Sequence, residues 1–152
     1  MKKLYATAYV AILLLCTYIA EAQSTPPLNE QVADKPLLFA SLPQKLECNL
    51  EEIDRLFMAE TSQKMILRLN NQLQLDGIVA ERVQQSPEVV SINFKLGKYP
   101  GTLFNISRII QNGTIRYSGR IISRDNGDVL SLVKDNEKYY FTKLSQKFLM
   151  VE

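Results

Sequence analysis

Beyond about residue 63 the apolar side chains recur at every second position, and turn signals break the run every 8 to 12 residues. That pattern constrains the chain more than any other feature. A period of two places alternate side chains on opposite faces of an extended strand, whereas a helix needs a period near 3.6. Met65, Leu67 and Leu69 alternate with Lys64, Ile66 and Arg68. Val90, Ile92, Phe94 and Leu96 alternate with Val89, Ser91, Asn93 and Lys95, the clearest half-buried strand in the sequence. Asp76-Gly77, Tyr99-Pro100-Gly101, Asn112-Gly113, Asp125-Asn126-Gly127-Asp128 and Asp135-Asn136 supply turns, because Gly and Asn tolerate positive φ and Pro presets it. Between them lie strands expected over 78–84, 102–110, 114–124, 129–133 and 138–144, with a last short strand at 148–151. Short strands joined by tight turns predict an antiparallel meander.

One segment breaks the pattern. Leu50, Ile53, Leu56 and Phe57 recur at helical spacing, so the sequence predicts a helix near 50–59. Asn49 is placed as its N-cap, and Glu52 completes a capping-box pattern. The expected fold is α+β: one N-terminal helix followed by an antiparallel β-meander, as a strongly curved sheet or small open barrel of six to seven strands.

The N-terminus carries an export pattern. Lys2 and Lys3 precede an apolar run from Tyr5 to Ala20, and Ala20-Glu21-Ala22 forms a cleavage signal before Gln23. The apolar run is short for a bilayer span, so a membrane anchor is expected only if the segment stays uncleaved. Leu15 before Cys16 argues against lipid attachment there. The organisation read from the sequence is a signal peptide at 1–22, a flexible tether at 23–40 and one β-rich domain with one helix at 41–152. The expected address is the periplasm or the medium.

Export has a chemical consequence. Losing residues 1–22 removes Lys2, Lys3 and Glu21, leaving 16 basic and 15 acidic residues, a net charge of +1. That balance gives no reason to expect a nucleic-acid partner, since such domains are usually strongly basic. Cys48 becomes the only cysteine, so no disulfide can form within the chain. Cys48 is expected as a small buried hydrophobe at the helix start.

The chain contains no histidine. This removes Ser-His-Asp and Cys-His nucleophilic systems, the usual general base near neutral pH, and His-based zinc or iron sites. No cofactor is expected. Ser131-Leu132-Val133-Lys134 spells S-x-x-K, but on a strand that offset puts Ser and Lys on opposite faces. Glu51-Glu52 is explained by the helix start, and Asp125 and Asp128 by their turn, although the latter two could share a calcium ion with carbonyl groups. Two N-x-S/T sequons, at Asn105 and Asn112, matter only in a host that glycosylates them.

Two surfaces stand out as binding candidates. On strand 114–124, Arg116, Ser118, Arg120 and Arg124 face away from Ile115, Tyr117, Gly119 and Ile121. With Arg68, Arg82 or Lys95 from neighbouring strands they would form a basic face suited to an acidic partner or an anionic polysaccharide. Tyr139, Tyr140 and Phe141 would form an aromatic platform, although a period of two splits Tyr140 from the other two.

The junction Ala20-Glu21-Ala22-Gln23 resembles signal peptides of Bacteroidota. Tyr117-Ser118-Gly119-Arg120-Ile121, Gly127-Asp128-Val129-Leu130 and Lys138-Tyr139-Tyr140-Phe141 look like small exported proteins of that group. The same tail is similar to β-rich pro-regions of secreted metalloproteases. The first resemblance implies an exported β-domain. The second implies a partner of a secreted enzyme acting in trans. Neither carries a functional residue across. The reading with most support is a non-catalytic binding module for a protein or glycan. A stand-alone inhibitor or pro-region-like partner of a secreted enzyme is the alternative, and a histidine-free carboxylate hydrolase the third.

Overall fold

A computed structural model of the chain describes residues 35–145. The expected signal peptide, Cys16, the tether up to residue 34 and the strand at 148–151 lie outside the described residues. The described chain runs β1 (Lys45–Glu47), α1 (Leu50–Met58), β2 (Lys64–Arg68), β3 (Gln74–Ser86), β4 (Val89–Leu96), β5 (Thr102–Gln111), β6 (Thr114–Ser123), β7 (Asp128–Asp135) and β8 (Lys138–Ser145). All strands join one curled antiparallel sheet in the order β1-β8-β7-β6-β5-β4-β3-β2, a half-barrel with α1 packed on its concave side. From β2 to β8 every strand neighbours its successor, as a meander requires.

The sheet has eight strands rather than six or seven, and the helix does not precede all of them. The extra strand is β1, three residues long with only Leu46 turned inward, too short to show a period. It pairs with β8 and so sits at the opposite edge of the sheet from β2.

Helix α1 forms where its apolar stripe demands. Ile53, Leu56 and Phe57 are buried, and they meet an inner sheet face built from Leu67, Leu75, Val79, Ile92, Phe94, Phe104, Ile106, Ile121 and Phe141. The Asn49 side chain accepts from the Glu51 N–H at 3.0 Å, as an N-cap does. The expected capping box is not completed. Glu52 Oε2 instead accepts the Arg68 N–H at 2.8 Å and an Arg55 N–H at 2.6 Å, and Arg55 donates to the Ile66 carbonyl. The ion pair thereby satisfies the free backbone edge of β2.

The turn expected at Asp76-Gly77 lies elsewhere. Both residues sit inside β3, opposite Ile66 and Met65. The chain reverses earlier, where Asn70 Oδ1 accepts the backbone N–H groups of Gln72 at 2.7 Å and Leu73 at 2.8 Å. An Asx turn at Asn70-Asn71 thus takes the place of a glycine turn. Gly77 is needed for close packing, because a Cβ there would stand 2.3 Å from the Lys95 carbonyl oxygen. The other turns fall as expected. Gly101 (φ +73°) lies within the turn closed by the Thr102 N–H to Tyr99 O bond of 3.1 Å, and Asn112-Gly113 takes φ values of 51° and 73° between the paired Gln111 and Thr114.

Register in β3 shifts twice, between Val79 and Glu81 and between Gln84 and Ser86. Val79 lies opposite Phe94 and Glu81 opposite Asn93, so Ala80 is the extra residue of a bulge. Beyond it, the residues that a strict period of two would send outward point inward.

The packed chain begins before residue 41. The Leu38 and Phe39 N–H groups donate to the two Asp128 carboxylate oxygens at 2.8 and 2.7 Å, and Phe39 is 3% exposed. Lys143 Nζ donates to the carbonyls of Ala40, at 3.0 Å, and Leu42. Residues 38–42 are therefore a strap across the start of β7 and the end of β8.

Two substitutions test these contacts. Asp128→Ala leaves one buried and one part-buried N–H group without acceptors and should cost about 1–3 kcal/mol, read as a lower urea midpoint with an unchanged slope. Gly77→Ala should cost a similar amount, roughly 1–3 kcal/mol, by forcing β3 away from β4. Full stability of either variant would contradict the role given to that residue.

Candidate site on the outer face

The inner face is consumed by the core, so the outer face is where polar side chains are free to act. Strand register sets out one polar row across it: Glu81, Asn93, Asn105, Arg120, Ser131, Thr142 and Lys45, one residue from each strand from β3 to β8 and then β1. A second row beside it carries Ser91, Ser107 and Ser118. Directly opposed residues of antiparallel strands share a face, which brings these groups within reach of one another.

The first row is wired in one direction. Asn93 Nδ2 donates to Glu81 Oε2 at 2.8 Å, and Asn105 Nδ2 donates to Asn93 Oδ1 at 2.7 Å. A carboxylate only accepts, so it turns the Asn93 amide nitrogen toward itself and leaves the Asn93 oxygen for Asn105. Asn105 Oδ1 then has no partner among the described residues. In the second row Ser91 and Ser107 share a hydroxyl–hydroxyl bond of 2.7 Å.

Next to this network lies a shallow cavity of about 290 Å³. Asn105, Ser107, Ser118, Arg120 and Ser131 supply its polar lining, and Val129 and Leu144 its apolar side. Arg120 is exposed and has no acidic partner among the described residues. No aromatic and no acidic side chain lines the cavity.

The structure does not bring the five candidate arginines together. Arg116 and Arg120 share the outer face of β6 but lie four residues apart, about 13 Å along a strand. Arg124 follows the end of β6, where its carbonyl accepts from Lys35 Nζ at 2.8 Å. Arg68 is on β2, four strand spacings from β6, about 19 Å along the sheet. Arg82 points inward. It lies opposite Ile92, and its Nη1 donates to the Phe57 carbonyl at the end of α1 at 2.5 Å. The bulge at Ala80 put it there. Arg108, which the sequence did not single out, joins it on the inner side, 5.3 Å from the Phe57 ring centroid.

Tyr139, Tyr140 and Phe141 divide between the faces as their spacing requires. Tyr139 and Phe141 are 4% and 0% exposed, and both belong to the core. Tyr140 is on the other side, with Lys45 Nζ 4.0 Å from its ring centroid. The Tyr139 hydroxyl accepts the Tyr117 N–H at 3.0 Å, and Tyr117 donates to Asp54 of α1. Burial, and then the bond to Asp54, raises the Tyr117 pKa above the ordinary tyrosine value.

A larger open cavity of about 760 Å³ lies at the N-terminal end of α1, lined by Glu47, Asn49, Glu51, Arg68 and Asn70 among others. Much of its polar lining already holds the fold. Asn49 caps α1, Asn70 forms the turn and donates to the Glu47 carbonyl at 3.1 Å, and Glu47 pairs with Lys138 at 2.7 Å. Its remaining polar lining, Glu51, Arg68, Asn71 and Gln74, includes an acid beside the arginine, whereas no acidic side chain lines the cavity beside Arg120.

The remaining sequence candidates have structural places. Asp128 is engaged by the 38–39 backbone, so it does not share a cation site with Asp125. No group of three or more acidic or cysteine side chains among the described residues could hold a metal ion. Ser131 lies opposite Thr142 and Lys134 opposite Tyr139, on opposite faces of β7. Asn105 is hydrogen-bonded mid-strand, whereas Asn112 stands in an exposed hairpin turn. No helix among the described residues is long and apolar enough to cross a membrane. No protein-family model, curated protein or solved structure matches the chain, so the site stands on its own geometry.

Cys48 is 6% exposed, and burial pushes its thiol from 9.0 up to about 12. The thiol should therefore resist alkylation at pH 8 in the folded protein and react once urea unfolds it. Its folded pKa is raised, so its contribution to stability is whole below pH 9 and declines as pH climbs toward 12. Alkylation at the same rate with and without urea would contradict this.

Proposed function

We propose that the mature chain is an exported, non-catalytic binding module that holds a protein or glycan partner on the outer face of β5–β7, centred on Arg120. One observation carries this reading. A guanidinium without an acidic partner lies in a cavity of hydroxyls and an oriented amide, all mounted on strands paired on both sides. The paired backbone and the oriented Asn105 amide lose little freedom when a ligand arrives. The export pattern at 1–22 supports an address outside the cytoplasm. The lack of histidine in the chain supports a binding role over acyl-transfer or zinc chemistry.

The test uses residues 23–152, immobilised and screened against envelope extracts and glycan arrays. Ser118→Trp should fill the cavity from an exposed position and abolish retention of any specific partner while leaving the circular dichroism unchanged. Retention that ignores Ser118→Trp, or a hydrolytic activity that maps to named side chains, would overturn the reading.

A second reading has its own support. Ile110 and Ile115 lie opposite each other beside the Asn112-Gly113 turn and remain 39% and 49% exposed. An apolar hairpin end of this kind suits insertion into the cleft of a secreted enzyme, the inhibitor or pro-region-like role. Inhibition of an exported peptidase that is lost in Ile110→Ser/Ile115→Ser would favour it.

A further inference from the structure

We infer that the cavity beside Arg120 takes an acidic saccharide, with a uronate carboxylate on the guanidinium and ring hydroxyls on Asn105, Ser118 and Ser131. This rests on the binding-face reading and names the ligand class for it.

Four observations lead to that class. The cavity, about 290 Å³, lies near the lower limit of small-ligand pockets, ~300 Å³, so it suits one sugar ring of a chain. Its polar groups are of both kinds. Arg120 only donates, the free Asn105 oxygen only accepts, and the serine hydroxyls do either. A ring hydroxyl, itself donor and acceptor, is matched by such a mixture. The lining has no aromatic ring, so stacking contributes nothing and a neutral sugar gains little. Charge must then supply the affinity, and Arg pairs bidentately with a carboxylate. Competing charge is remote. The carboxylate in this row, Glu81, lies three strand spacings from Arg120, about 14 Å, and is occupied by Asn93.

An acidic peptide is disfavoured by the backbone. Around Arg120 the strands β5, β6 and β7 pair continuously, Asn105 with Arg120 and Arg120 with Ser131. The site therefore offers no free strand edge for an extended peptide to join.

The probe is a galacturonate trimer, compared with a galactose trimer of equal length and with a glutamate hexapeptide, by calorimetry on residues 23–152 at low and high salt. The galacturonate trimer should bind at least ten-fold more tightly than the neutral trimer and weaken as salt rises. Arg120→Ala should lose ten-fold or more, and Arg120→Lys should recover part of that loss. Arg116→Ala, on the same strand but outside the cavity, should leave binding within two-fold. Amide shifts on titration should centre on residues 105, 118, 120 and 131, a readout independent of variant folding. Equal binding of the neutral trimer, equal binding of the glutamate peptide, or no binding of the galacturonate trimer overturns the assignment. If another partner is still lost in Ser118→Trp, only the ligand class has failed. If that loss is also absent, the binding face itself has failed.

Discussion

The seven-strand meander β2–β8 leaves β2 and β8 as its edges, and the short segment from β1 through α1 reaches both. On one side, Glu52 and Arg55 of α1 take up the Arg68 N–H and the Ile66 carbonyl, covering the edge of β2 with an ion pair. On the other, β1 pairs with β8. Between them residues 48 and 49 tie the two sides together. The Cys48 N–H donates to the Tyr139 carbonyl at 2.8 Å and the Asn49 N–H to the Leu69 carbonyl at 2.7 Å. Unpaired edges invite pairing with other chains, and covering them protects the sheet from aggregating. The same segment brings Ile53, Leu56 and Phe57 into the concavity, so edge protection and core filling are one event.

Cys48 is free and is the only cysteine among the described residues, so no disulfide braces them and the core holds the fold. Phe57, Phe94, Phe104 and Phe141 are essentially buried, and Phe104 meets Phe141 edge-on at 5.8 Å between ring centroids. The buried Asp128 carboxylate adds a polar lock at the strap, where two N–H groups of residues 38 and 39 would otherwise lack acceptors. Exposed pairs such as Lys45 with Asp135 contribute far less, since water screens them.

Local patterns made much of this fold legible. The alternation Val90, Ile92, Phe94, Leu96 is the inner face of β4, and the stripe Leu50, Ile53, Leu56, Phe57 is the buried side of α1. What escaped the sequence depends on partners far along the chain. Glu52 looks like a capping residue, but its acceptor atom is claimed by Arg68, 16 residues on. Asp128 looks like a turn residue, but its partners lie about ninety positions earlier. Gly77 looks like a turn glycine until Lys95 is seen against it. A strict period of two places Arg82 on the outer face, and the bulge at Ala80 turns it inward. The basic face failed to gather for that reason and because β2 and β6 are far apart in the sheet order.

The division of labour between the two faces follows from these same constraints. With the helix filling the inner face, the arginines there become structural: Arg82 caps the Phe57 carbonyl and Arg108 lies against the Phe57 ring. Arg120 differs from them by parity alone. It falls on the outer face, in register with two asparagines whose orientation is set by a carboxylate at the far end of the row. Its neighbours are hydroxyls and an amide oxygen, none of which neutralises it. A charge left without a counter-ion, beside polar groups already held in place, contributes to stability only weakly. In the proposed reading, a ligand that supplies the missing negative charge meets a paired backbone and an amide already oriented.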